Sequence, residues 1–130
     1  MILADTTFLI DLQRSRRNSR SQAARAWLET HPDEEIALPA VVFGEFAEGF
    51  ESLSHPVLEH LRSAHPVLEV NLAVALVYSR ISRELGASGE LTGSNDLWIA
   101  ATAIAREAPL LTRNRDHFDR VSGLQVISYG

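Results

Sequence analysis

Short apolar runs alternate along this chain with longer segments whose apolar residues return every three or four positions. The runs at 2–5, "EIAL" at 35–38, "HPVLEV" at 65–70, "PLLT" at 109–112 and "LQVIS" at 124–128 are too short for stable helices and predict buried strands. The intervening segments predict helices. Residues 6–13 place Phe8, Leu9 and Leu12 on an apolar side, and 21–31 do the same with Ala23, Trp27 and Leu28, with Pro32 just past the end. Pro39 opens a helix over 39–53, in the first turn where proline is best tolerated. Residues 55–64 form another, and 72–85 a longer one with Leu72, Leu76 and Ile81 inward, stopping near Gly86. The alanine-rich stretch 95–108 suits close packing on a sheet, and 115–121 is long enough for one or two turns. Polar breaks fall at "RSRRNS" and at the glycine- and serine-rich "GASGELTGS". The pentapeptide HPVLE occurs at 55 and at 65, a spacing too short for a solenoid unit, and reads as coincidence. Short strands alternating with helices make an α/β fold, with a central, mostly parallel sheet of about five strands flanked by helices. At 130 residues it is expected to be one domain.

Composition changes this picture little. A hydrophobic content of 45% and a charged fraction of 22% are those of an ordinary globular protein. No apolar run approaches the roughly 18–20 residues of a membrane span, and the N-terminus lacks the basic stretch and apolar core of a secretory signal. Without cysteine there are no disulfides or thiolate metal sites, which suits a cytoplasmic protein. Charge is more informative. The net charge is −5, yet all twelve basic residues are arginine. Arg14, Arg16, Arg17 and Arg20 crowd into one break, and Arg113 and Arg115 flank Asn114. Arginine forks grip phosphate bidentately, so such clusters can hold a polyanion on an acidic protein; equally, they can be solvated loop.

The acidic residues carry the candidate chemistry. In α/β folds ligands gather at the carboxyl edge of the sheet. Asp5 ends the first predicted strand, Glu45 lies in the helix after the second, Asp96 in the first turn of the alanine-rich helix, and Asp116 just past the fourth strand. Singly, Asp5 can cap a helix, and Asp96 and Asp116 can complement a helix dipole. Glu45 is harder to explain in that way. Helical spacing sets it beside Val41, Val42 and Phe46, where a carboxylate is costly unless paired, protonated or bound to metal. Four clustered carboxylates need a cation, and an all-oxygen set suits Mg²⁺ or Mn²⁺, ions that polarise a phosphodiester and activate water.

The segments "ADTTFLIDL", "LPAVVFGEFAEGF", "GSNDLWIAATAIA" and "LLTRNRDHFDRVSGLQVI" resemble, in order and spacing, the motifs of PIN-domain ribonucleases, and most of all the VapC-type toxins of bacterial toxin–antitoxin systems. The resemblance spans essentially the whole chain. It implies a three-layer PIN-like fold and an Mg²⁺- or Mn²⁺-dependent endoribonuclease. Asp5 and Asp96 would be the principal metal ligands, and Glu45 would help hold the metal or its water. Thr6 and Thr7 beside the first acid, and Ser94 and Asn95 beside the third, would play supporting roles. Where many members carry aspartate two residues after the strand-ending threonine, this chain has Asn114. Asp116 is the expected substitute as fourth acid, with Asn114 orienting a water or phosphate. Arg14, Arg16, Arg17, Arg113 and Arg115 are the candidates for RNA contact. The resemblance also implies a homodimer and a VapB-type antitoxin that wraps the toxin and covers its acids, with the helices of "FLIDL" and "FGEFAEGF" as contact surfaces. Phe43, Phe46 and Phe50 read more simply as core.

Other readings fare worse. A haloacid-dehalogenase-like phosphatase needs a second aspartate where Thr7 stands, and a receiver domain needs a lysine that the chain lacks. Three of the five histidines precede proline, no pair has metal-ligand spacing, and the set reads as surface or turn residues. A catalytically weak PIN-fold module that binds protein or RNA is the non-enzyme alternative.

Overall fold

The computed structural model describes residues 1–14, 19–89 and 93–129. Its strands are β1 (Ile2–Ala4), β2 (Ile36–Pro39), β3 (Val67–Leu68), β4 (Leu110–Thr112) and β5 (Val126–Ser128). They form one sheet in the order β3-β2-β1-β4-β5, with every pairing parallel. Leu3 sits at the centre, opposite Ala37 on one side and Leu110 on the other. The three middle strands are buried along their whole length, which is why they read as unbroken apolar runs rather than as alternating ones. The edge strands β3 and β5 are partly open.

Described helices flank the sheet: α1 (Thr6–Gln13), α2 (Ser19–Thr30), α3 (Ala40–Ala47), α4 (Pro56–Ala64), α5 (Leu72–Ser88), α6 (Ser94–Ala105) and the single turn α7 (Arg115–Phe118). Ala100, Ala101 and Ala103 of α6 are fully buried, so their small side chains bring that helix close to its neighbours. α5 and α6 pack as a pair, with Tyr78 stacked on Trp98 at 3.8 Å between ring centroids. Gly89 ends α5 in the left-handed conformation that glycine adopts without strain. No helix among the described residues is long and apolar enough to cross a membrane.

Two details correct the expectations. Leu72 and Leu76 are not inward: they are 74% and 64% exposed, and the buried stripe of α5 is Val74, Ile81 and Leu85 with Val77 and Tyr78 beside it. Apolar residues encircle this helix, and only the 74–77–78–81–85 series keeps helical spacing without meeting Arg80 or Arg83. Pro39 ends β2 and caps α3 from outside, rather than occupying the helix's first turn.

Candidate active site

Strand order reverses across β1, because the chain builds outward to β2 and β3 on one side and then returns to lay β4 and β5 on the other. The crevice at such a switch point is where parallel sheets bind ligands. A cleft of about 260 Å³ lies there, lined by Asp5, Thr6, Thr7, Ile10, Glu45, Asp96, Ile99, Asn114 and His117. Its walls come from the end of β1, the start of α1, α3, the first turn of α6 and the segment after β4.

Asp5 is the most tightly held of these groups. It is 3% exposed and serves as N-cap of α1. Its Oδ1 accepts the Phe8 N–H at 3.0 Å and the Thr7 hydroxyl at 2.7 Å, while its Oδ2 accepts the hydroxyl of Thr112 from the end of β4. The Thr112 oxygen in turn accepts the Asn114 N–H at 2.9 Å. A carboxylate offers about four lone-pair sites. Described residues fill three, which among them leaves one on Oδ2 for a further ligand.

Glu45 is half-buried and accepts the Thr6 hydroxyl at 2.9 Å. Asp96 is half-buried, with its Oδ2 3.5 Å from Nδ1 of His117. Burial pushes the carboxyl of Asp5 above its usual value, and the charge of Asp96 adds to this against the pull of its three hydrogen bonds. Burial likewise pushes Asp96 up, opposed by His117 and reinforced by the charge of Glu45. The acids are therefore close enough to repel, in a setting where each negative charge is costly. Among the described residues, no three acids or histidines converge tightly enough to enclose a metal ion by themselves. Such a donor set fits a hard cation that keeps much of its water and takes only one or two carboxylates.

Residues 2–124 match the model of the PIN domain. The chain belongs to the PIN domain family. It is 33% identical over 128 residues to ribonuclease VapC1 of Methanocaldococcus jannaschii, covering 96% of this chain and 85% of that one. VapBC-1 from nontypeable Haemophilus influenzae is similar in structure, with a TM-score of 0.80 and 28% identity over 99% of this chain and 98% of that one. The DNA-bound VapBC of Salmonella typhimurium shares the fold, with a TM-score of 0.83 at 22% identity over the full length of both chains.

Within this PIN domain the expected residues divide. Asp5, Glu45, Asp96, Thr6, Thr7 and Asn114 share the cleft. Asp116 is exposed on α7 and is not among the cleft's lining residues; Asn114 holds that wall instead, because α7 begins with Arg115 and turns the next side chain outward. Ser94 and Asn95 are exposed at the start of α6 and stand outside the lining. Among the arginines, Arg16 and Arg17 lie outside the described residues, and Arg14 is exposed at the end of α1. Arg115 pairs with Asp119 on its own short helix. Arg113 is tied by its Nε, which donates to the fully buried Asp11 at 2.9 Å.

Sequence reasoning passed over the lining residues Ile10, Ile99 and His117, and Thr112 behind Asp5. Thr112 was legible as a strand end, but its hydrogen bond to Asp5 depends on β4 lying beside β1, which no local pattern encodes. His117 is exposed, as expected of the histidines, yet it lines the cleft and faces Asp96. The available signal was its place one helical turn after Asn114.

Proposed function

We propose that this chain is a divalent-metal-dependent endoribonuclease, the toxin of a VapBC-type toxin–antitoxin pair, folded as a single PIN domain over residues 1–130 and working in the cytoplasm. The observation that carries the reading is the meeting of Asp5, Glu45 and Asp96 from three separate elements in one cleft, with Asp5 and Asp96 both pushed up by burial and by neighbouring negative charge. The VapC name of the M. jannaschii relative and the VapBC complex from H. influenzae support the activity and the partner. The partners are RNA, a second copy of the chain, and a VapB-type antitoxin that covers the acidic cleft.

In this reading Asp5 and Asp96 would hold Mg²⁺ or Mn²⁺. Asp5 offers the free lone pair of Oδ2, with Thr7, Phe8 and Thr112 fixing its carboxylate plane. Glu45, oriented by Thr6, holds a water of the site and accepts its proton. When bound, the ion polarises the scissile phosphate and acidifies water. Asn114 and His117 form the outer wall, where they contact phosphate oxygens as hydrogen-bond donors. Ile10 and Ile99 supply an apolar floor that keeps the site's dielectric low.

The test is RNA cleavage by the purified chain, free of antitoxin, with Mg²⁺, with Mn²⁺ and with EDTA. Cleavage that needs the ion and disappears with Asp5→Asn or Asp96→Asn is the expected result. Cleavage that ignores both chelation and the two substitutions would sink the proposal. Metal binding without cleavage of any RNA would move the chain to the alternative, a PIN-fold binding module.

A further inference from the structure

We propose that Tyr129, Arg113 and Asp11 form a clamp that fixes helix α1 against the ends of β4 and β5, and through the helix positions the carboxylate of Asp5. The proposal rests on the reading of the cleft as a metal site, and it gives the C-terminal strand a role in that site.

The clamp follows from the sheet. β4 and β5 pair in parallel with Thr112 opposite Ser128, so the residues that follow each strand, Arg113 and Tyr129, emerge side by side. Both reach the same atom: Oδ2 of Asp11 accepts from Arg113 Nε at 2.9 Å and from the Tyr129 hydroxyl at 2.7 Å. Asp11 is fully buried and, among the described residues, its Oδ1 has no hydrogen-bond partner, so these two are its described donors. The Tyr129 ring also meets Phe8 edge to face, with 5.1 Å between centroids, and its hydroxyl lies beside Thr7.

Thr7 and Phe8 are two of the three residues that donate to Asp5, and the third, Thr112, immediately precedes Arg113. Every donor that fixes the Asp5 carboxylate is thus either touched by Tyr129 or adjacent in chain to Arg113. A buried ion pair contributes little net stability over an apolar contact of the same volume. A fixed direction is what it supplies here: it ties the second turn of α1, through Asp11, to the ends of β4 and β5, while the Tyr129 ring holds Phe8 in the first turn, next to Asp5.

Tyr129→Phe tests this, because it keeps the ring and its contact with Phe8 and removes only the hydroxyl. Three readouts are compared with the parent chain: Mn²⁺ affinity by electron paramagnetic resonance titration, kcat and KM on an RNA substrate, and hydrogen exchange of the Phe8 amide. The expected result is about tenfold weaker Mn²⁺ binding, a fall in kcat with KM for RNA unchanged, and faster exchange at Phe8. Unchanged Mn²⁺ affinity, kcat and Phe8 exchange would overturn the clamp, even if the variant melted at a lower temperature. Should the parent chain neither bind Mn²⁺ nor cut RNA, the nuclease reading fails. The Phe8 exchange then decides the clamp alone, faster exchange supporting it and unchanged exchange overturning it.

Discussion

The two sides of the cleft are built in opposite ways. On one, Asp5 is buried, caps α1 and is fixed by three hydrogen bonds that span β1, α1 and β4. On the other, Asp96 sits in the first turn of a helix whose N-cap, Gly93, makes no side-chain capping bond, and its contact is an exposed histidine 3.5 Å away. The first arrangement presets one carboxylate with nearly all its acceptor capacity used. The second leaves a carboxylate and an imidazole free to adjust when an ion, a phosphate or a partner arrives. A site of this kind is preorganised on one wall and adaptable on the other, and that asymmetry can be tested.

The largest effect is expected from Asp5→Asn. It removes the charge of the preset wall and should lower RNA cleavage by roughly a thousandfold, the equivalent of about 4 kcal/mol of lost transition-state stabilisation. Single-turnover cleavage measures it, and a loss of tenfold or less would refute the preset role. Thr112→Val comes next. It removes one donor to Asp5 and the acceptor of the Asn114 N–H while leaving every lining side chain in place, and should weaken Mn²⁺ binding by about 10–100-fold. His117→Ala, on the adaptable wall, should cost less than about tenfold in kcat/KM, because an exposed side chain with one long contact contributes little. An effect as large as that of Thr112→Val would erase the distinction between the walls. Asp116→Asn, on an exposed side chain outside the lining, should leave cleavage within about twofold, consistent with the small effects of surface changes.

The smallest prediction concerns stability. The Asp96 carboxyl lies above its ordinary value of 3.8 in the folded chain, so the folded state holds that proton more tightly than the unfolded chain does. As pH rises through the raised folded value the group loses its proton, and stability falls. Asp96→Asn should therefore raise the melting temperature by a few degrees near neutral pH in metal-free buffer, with the gain fading as pH drops below the ordinary carboxylate range. Thermal denaturation across pH measures this, and a pH-independent difference would contradict it. Saturating Mn²⁺ should stabilise the parent chain more than this variant.

Much of the architecture was legible from local pattern. The apolar runs marked the positions of the five described strands, although "HPVLEV" shrank to Val67–Leu68, the two residues that pair with β2. Asp5 and Asp96 stood out because they end a strand and open a helix at the carboxyl edge, which the α/β pattern itself implies, and Glu45 because helical spacing set it among Val41, Val42 and Phe46. Other features were not legible. Leu72 and Leu76 looked inward because apolar residues surround α5, and only packing against α6 selects the buried stripe. The tie between Arg113 and Asp11 was hidden as well, because nothing local shows that these residues, far apart in sequence, meet.

The sequence by itself determined the alternation of strands and helices, and the chemical class of the cleft, since those depend on hydrophobic period and residue type within a few positions. The tertiary structure decided which groups face one another. It set β4 beside β1, so that Thr112 fixes Asp5; it brought Arg113 and Tyr129 together on Asp11; and it placed Asn114 and His117 in the cleft while leaving Asp116 outside. These are contacts between residues remote in sequence, and only the order and register of the strands specify them.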